Sequence, residues 1–128
     1  MSSNPFRIAA SGMAGAPFQG DDLSADVAAR IERMVGSSDV FLFMKGSPDM
    51  PRCGFSANTV AILEQLGAPY ATFDVLADEE VRSGVKQYSQ WPTFPQLYVR
   101  GELVGGNDIV SEMYASGELA SLLRGGAS

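Results

Sequence analysis

The chain has 128 residues, a net charge of −6 at pH 7 and 45% hydrophobic residues, which fits one globular domain with a single core. The acidic balance argues against nucleic acid or an anionic membrane surface as the main partner. No apolar stretch approaches the ~20 residues that a membrane-spanning helix needs. We therefore expect a protein that binds neither nucleic acid nor membranes.

The first 22 residues differ in composition from the rest of the chain. They are rich in Ser, Ala, Gly and Pro and lack a periodic apolar pattern, so we predict a flexible extension over residues 1–22 and one domain over residues 23–128. No apolar core follows a basic start, which argues against a secretory signal. A bacterial cytoplasmic tail and a weak transit signal both fit, so we expect a cytoplasmic protein, with a mitochondrial or plastid location as the alternative.

The folded part is predicted to open with a helix and a buried strand. Apolar residues recur at helical spacing from Leu23, with Ser24 or Asp22 as the N-cap. The unbroken apolar run at residues 40–44 predicts a strand that is buried on both faces. A loop with two prolines and a glycine follows over residues 45–52.

A second helix is predicted directly after this loop. It ends at Gly67, which has the character of a helix-terminating residue, and residues 70–75 then form a strand. Strand, helix and strand in this order predict a parallel, right-handed crossover. The predicted inward face of the helix consists of Phe55, Thr59, Ile62 and Leu66.

The second half of the chain is predicted to add two strands and three helical segments. Asn107 or Asp108 is the expected cap of the helix that follows Gly106. The sum is an α/β fold with a four-stranded mixed sheet and helices on both faces. The remaining predicted elements are a helix from Asp78 to about Ser89, a hairpin of residues 96–100 and 102–104, and a last helical segment at residues 118–124.

Cys53 is the only cysteine, and the chain has no histidine. It lies at the predicted start of a helix, where unpaired N–H groups and the helix dipole favour an anion, so we expect a reactive thiol with Arg52 as a positive neighbour. A buried structural cysteine is the alternative, but a Pro-rich loop leading into a helix fits it poorly. One cysteine forms no internal disulfide and no closed metal site, so chemistry at Cys53 needs a second thiol from outside the chain.

Five segments together resemble the CGFS-type monothiol glutaredoxins in order and spacing. The resemblance implies a thioredoxin fold, binding of glutathione, and a 2Fe-2S cluster held between two protomers and passed on. It also implies BolA-like partner proteins and iron-sulfur client proteins. The matching segments are residues 44–46, the Cys-Gly-Phe-Ser sequence at 53–56, residues 82–88, residues 91–96 and residues 105–108.

The resemblance also implies roles for individual residues. Lys45 and Arg82 match the cationic contacts of the family to glutathione. From sequence, a solvated lysine explains Lys45 equally well, and an ordinary charged helix face is a stronger alternative for Arg82. Phe94 precedes a proline that is cis in the family, and its backbone pairs there with the cysteinyl part of glutathione. A trans Pro95 that opens an edge strand is the alternative.

The segment at residues 105–108 has a functional and a structural interpretation. Asn107 and Asp108 match positions that bind the γ-glutamyl carboxylate and ammonium of glutathione, whereas a turn with a helix cap also explains them. Many family members have a second cysteine where this chain has Asn107. We expect Trp91 and Phe55 to be packing residues, with Phe55 an additional candidate to cover a cluster.

Ligand counting leads to the first functional hypothesis. A 2Fe-2S cluster usually takes four thiolates, and each protomer supplies only Cys53. We therefore predict a monomer without the cluster and a cluster-bridged homodimer with two Cys53 and two glutathione thiolates. The alternatives are weak glutathione-dependent thiol-disulfide exchange at Cys53, and an interaction module that senses iron or redox state.

Overall fold

The computed structural model describes residues 24–125, so the extension predicted for residues 1–22 lies outside the described residues. Along these residues, helices and strands alternate in the order that the sequence predicts. The elements are α1 Ala25–Val35, β1 Val40–Met44, α2 Gly54–Leu66, β2 Ala71–Asp74, a 3-10 turn Val75–Ala77, α3 Glu79–Ser89, β3 Gln96–Val99, β4 Glu102–Gly105, α4 Asn107–Ser116 and α5 Glu118–Leu123.

The four strands form one mixed sheet in the order β2-β1-β3-β4. The two strand pairs that contain β1 differ in direction, because β1 runs parallel to β2 and antiparallel to β3. The hairpin of β3 and β4 is antiparallel. The predicted parallel crossover and hairpin are therefore both confirmed.

A hydrophobic core lies on each face of the sheet, and the alternation of side chains along β1 divides them. Phe41 and Phe43 face the core formed with α1 and α3, where Ile31 and Val85 are fully buried. The intervening β1 residues face α2, α4 and α5 on the other side of the sheet. All five residues of β1 are buried, as the apolar run predicts. The fold is α/β, with a mixed sheet between two helical layers.

The helix boundaries follow local capping chemistry. Ser24 caps α1 by accepting a hydrogen bond from the backbone N–H of Val27 at 3.1 Å. Asp78 caps α3 in the same way, with Val81 as the donor. Gly67 ends α2 in the left-handed conformation, with φ of 75°. These three residues confirm the predicted ends.

Several predicted boundaries are wrong by a residue or more, including both ends of β2 and the last residues of β4 and α5. Neither Asn107 nor Asp108 caps α4, because Gly106 is the N-cap and Asn107 is already helical. Strand β3 stops at Val99, since Arg100 has φ of 49° and belongs to the turn into β4. Strand β2 begins at Ala71, one residue later than predicted. Within residues 24–125, no helix combines the length and apolarity needed to cross a membrane.

Candidate functional site

A cavity of about 360 Å³ opens where the N-terminus of α2, the loop before β3 and the N-terminus of α4 meet. Its volume lies within the range of ~300–1,000 Å³ that small-molecule sites occupy. Of the predicted site residues, five line the cavity and Arg82 does not. The five are Lys45, Cys53, Phe94, Asn107 and Asp108. The lining residues are Lys45, Cys53, Phe55, Trp91, Thr93, Phe94, Pro95, Gly106, Asn107, Asp108 and Ile109.

Cys53 is the N-cap residue of α2 and is partly exposed, with extended backbone at φ of −155°. The pKa of its thiol is lowered, chiefly because the backbone N–H of Ser56 favours the thiolate. The N–H of Phe55 and the positive charge of Lys45 act in the same direction, while partial burial opposes them. The sulfur makes no capping hydrogen bond of ordinary geometry, so this is an electrostatic effect of the helix start.

The positive charge that lowers the pKa of the thiol is that of Lys45, and Arg52, the neighbour expected from the sequence, is not among the causes of the shift. Lys45 directly follows β1, and both of its backbone polar groups are held. Its N–H donates to the buried Ser56 Oγ at 3.1 Å, and its C=O accepts from the N–H of Arg52 at 2.8 Å. The first bond joins the end of β1 to α2, so the backbone of Lys45 is tied to the helix that begins after Cys53.

The loop between β1 and α2 is tied to the neighbouring strand by Asp74. Its Oδ1 accepts from the N–H of Gly46 at 2.9 Å and from the N–H of Leu76 at 2.8 Å. Gly46 has φ of 90°, and a Cβ there would lie 2.5 Å from the backbone oxygen of Met50. This position therefore accepts only glycine without a shift of the loop.

The loop before β3 forms the second wall of the cavity. The Phe94–Pro95 peptide bond is cis, so the alternative of a trans proline is wrong. Phe94 is only 5% exposed as a whole residue, packs in the core with Tyr98, and also lines the cavity. Buried Gln96 holds this loop by donating from Nε2 to the Trp91 and Thr93 carbonyl oxygens at 3.0 and 3.2 Å.

The two aromatic residues predicted to pack lie at the cavity instead. Trp91 is half-buried and lines it, and a Cβ on Gly106 would be 3.2 Å from the indole Nε1. Phe55 is 62% exposed, because α2 buries Ser56 and Thr59 rather than its first residues. With Met50, which is 63% exposed, Phe55 gives the surface near Cys53 an apolar character.

The start of α4 forms the third wall and contacts α2 through Asn107. The Asn107 Oδ1 accepts from Asn58 Nδ2 at 2.8 Å and from Thr59 Oγ1 at 3.1 Å. Asp108 is exposed in the first turn of α4, where an acid is also favoured by the helix dipole. No pattern in the sequence indicates the contact with Asn58, because the two asparagines lie 49 positions apart in the chain.

Arg82 is the predicted site residue that does not line the cavity. It lies on α3 with its guanidinium 3.6 Å from Glu79, an i,i+3 pair typical of a charged helix surface. Its Nε is buried and has no hydrogen-bond partner among the described residues. Residues 24–125 also contain no cluster of three or more His, Cys, Asp and Glu arranged to hold a metal ion.

Known proteins share both the sequence and the fold. A sequence profile of the glutaredoxin family matches residues 40–104. A monothiol glutaredoxin from Synechocystis, described as uncharacterized and ycf64-like, is 54% identical over 101 residues, which cover 79% of this chain and 94% of the relative. Human glutaredoxin-3 is 54% identical over 96 residues, or 75% of this chain and 29% of that longer protein.

Solved structures agree with the architecture. The solution structure of reduced apo GrxS14 from poplar matches with a TM-score of 0.68 and 48% identity, over 77% of this chain and 90% of that one. A buckwheat glutaredoxin, solved as a complex with glutathione, matches with a TM-score of 0.72 over 85% of this chain and 96% of that one. At 22% identity, that likeness shows the fold alone. The chain belongs to the monothiol glutaredoxins, a branch of the glutaredoxin family with the thioredoxin fold.

Proposed function

We propose that this protein binds glutathione in the cavity beside Cys53 and uses it to carry a 2Fe-2S cluster between two protomers. The observation that carries the proposal is the position of Cys53. It is the only thiol of the chain, is partly exposed, has a lowered pKa, and lies at the edge of a cavity of small-molecule size. A thiolate in this position is ready to bind a metal but is one ligand only.

The charges around the cavity complement those of glutathione, which has two carboxylates and one ammonium. The Lys45 ammonium lies at one side and pairs with the glycyl carboxylate. The N–H groups at the start of α4 receive the γ-glutamyl carboxylate, and the Asp108 carboxylate receives its ammonium. Between them, the backbone of Phe94 pairs with the cysteinyl unit, and this places the glutathione thiol near Cys53.

Arg82 has a secondary place in this proposal. Its side chain is 35% exposed, and Glu79 is a weak surface partner for it. The guanidinium can therefore leave Glu79 and join Lys45 at the glycyl carboxylate. This change would also give the buried Arg82 Nε–H a carboxylate oxygen as its hydrogen-bond acceptor.

The 2Fe-2S cluster is what the protein carries in this proposal, and the number of thiolates that it needs determines how it is held. Two protomers supply two Cys53 thiolates, and two bound glutathione molecules supply the other two ligands. Phe55, exposed at the cavity, and Met50, exposed in the loop before Cys53, provide apolar surface for the second protomer. Because half of the ligands dissociate, the cluster is labile, which suits transfer to iron-sulfur client proteins and complexes with BolA-like partners.

Anaerobic reconstitution with iron and sulfide, followed by sizing, tests this proposal. With glutathione, we expect visible absorbance of a 2Fe-2S cluster in a dimer, and one bound glutathione per chain. Without a small thiol, we expect a colourless monomer. The Cys53→Ser variant is the control and should stay colourless in both conditions. A coloured monomer, or a cluster formed without added thiol, would contradict the proposed ligand set.

Thiol-disulfide exchange is the second candidate, and the lowered pKa of Cys53 favours it. The Cys53 thiolate attacks the glutathione sulfur of a protein mixed disulfide, and the protein thiolate leaves and takes a proton. A second glutathione thiolate then attacks the Cys53–glutathione disulfide, which releases oxidised glutathione and restores Cys53. Rapid turnover of a glutathionylated peptide by the cluster-free protein would rank this reaction first. Slow turnover leaves cluster carriage as the main function.

A further inference from the structure

The side chain of Asn107 connects two helices that form opposite walls of the cavity. Its Oδ1 accepts from Asn58 Nδ2 at 2.8 Å and from Thr59 Oγ1 at 3.1 Å, and both donors belong to α2. Cys53 caps the start of the same helix. Asn107 itself is the first residue of α4, so one oxygen atom joins the two helix starts that face the cavity.

The bond from Asn58 is the main part of this connection. Asn58 Nδ2 has two protons and also donates to Ser111 Oγ at 3.1 Å, one helical turn after Asn107 on α4. Thr59 has one hydroxyl proton, which it shares between Asn107 and the Phe55 carbonyl oxygen at 3.0 Å. Asn58 therefore spans the first turn of α4, and Thr59 adds a buried second contact.

We propose that Asn107 is a positioning residue, whose side-chain oxygen holds the start of α4 at a set distance from Cys53. This inference rests on the proposed binding of glutathione. The N–H groups at the start of α4 receive one end of glutathione, and Cys53 meets its thiol. Because the affinity depends on both contacts at once, a small displacement of α4 from α2 weakens it.

This role differs from a direct ligand contact of the Asn107 side chain. The oxygen of the amide is occupied by donors from α2, so the side chain offers glutathione only its Nδ2 group. A direct contact would be lost only when Asn107 itself is changed. A positioning role is also weakened when its partner on α2 is changed, even though Asn58 does not line the cavity.

The test compares Asn58→Ala, Asn107→Ala and the double variant in the full chain. Exposed Gln65 on α2 supplies the matched control, Gln65→Ala. Glutathione affinity is read from the fluorescence of Trp91, the only tryptophan, which lines the cavity. Each single variant removes the bond between Asn58 and Asn107 together with one further contact between the helices, and should bind glutathione about 3- to 10-fold more weakly. The double variant should lose less affinity than the sum of the two single losses, because both single variants remove the same bond between Asn58 and Asn107.

Wild-type affinity in Asn58→Ala together with a loss in Asn107→Ala would overturn the proposal, since Asn107 would then be a direct contact. Unchanged affinity in both variants would overturn it as well. Hydrogen exchange without glutathione separates this inference from the proposed function. The amide of Val110, which donates to the Gly106 carbonyl oxygen at 3.0 Å, should exchange faster in both variants and not in Gln65→Ala, whether or not the wild type binds glutathione. Equal exchange in the wild type, Asn58→Ala, Asn107→Ala and Gln65→Ala would also overturn the proposal.

Discussion

Replacing Gly46 by alanine tests how tightly the loop between β1 and α2 is held beside the site. The new Cβ would lie 2.5 Å from the Met50 backbone oxygen and 2.7 Å from the Arg52 nitrogen. Both atoms are held in place, because Met50 hydrogen-bonds Ser47 in both directions and the Arg52 N–H donates to Lys45. The clash cannot be relieved by turning a side chain, so the backbone must move.

The magnitude follows from two costs. A positive φ costs an alanine about 1–2 kcal/mol, partly offset by about 0.4–1 kcal/mol from the stiffer unfolded chain. Overpacking adds about 1–3 kcal/mol. We therefore expect Gly46→Ala to lower the free energy of unfolding by about 2–4 kcal/mol, measured by urea denaturation.

Gly67→Ala is the matched control for the conformational part alone. Gly67 has φ of 75°, close to the 90° of Gly46, but nothing lies within 4 Å of a Cβ built on it. We expect this variant to lose only about 0–1.5 kcal/mol. Equal losses of stability in the two variants would refute the argument that close backbone contacts at Gly46 hold the loop.

Further variants test the chemistry around the thiol and the loop beside it. Lys45→Met should raise the pKa of Cys53, seen in the ultraviolet absorbance of the thiolate, because a positive charge that favours the anion is removed; an unchanged pKa would contradict the role given to Lys45. Ser56→Ala should lower stability by about 1–2 kcal/mol, since the N–H of Lys45 loses its acceptor, and should raise the same pKa slightly. Asp74→Ala should lose about 1–3 kcal/mol in urea denaturation, whereas Asp74→Asn, which keeps an acceptor oxygen, should lose less. Folding lowers the pKa of Cys53, so the thiolate increases the free energy of unfolding. This contribution is fully present above the ordinary thiol pKa and disappears as the pH falls through the lowered pKa. Cys53→Ser should remove this pH dependence.

The sequence predicts most of the fold because its signals are local. The apolar run at Val40–Met44, the αL residue Gly67 and the cap Asp78 each act through neighbours within one turn, and all three are confirmed. The start of α4 was predicted at the wrong residue for a physical reason. Gly106 takes the cap position, and Asn107 uses its side chain for a contact with a distant helix.

The site is predicted only in part, because a cavity depends on contacts between distant segments. Cys53 and its acidity follow from its place before a helix. The hydrogen bonds of Ser56 with Lys45 and of Asp74 with Gly46 join residues 11 and 28 positions apart. Such pairs leave no periodic pattern in a single sequence, so these contacts were found only in the structure.

Binding of glutathione beside Cys53 is the central claim, and an NMR titration of the full-length apo protein tests it most directly. S-methylglutathione is the probe, since it keeps both carboxylates and the ammonium but has no thiol to exchange. We predict saturable shifts of the backbone amides of Lys45, Cys53, Phe94 and Asn107, with little change on the far side of the sheet. Shifts confined to another surface, or no saturable shift, would contradict the account.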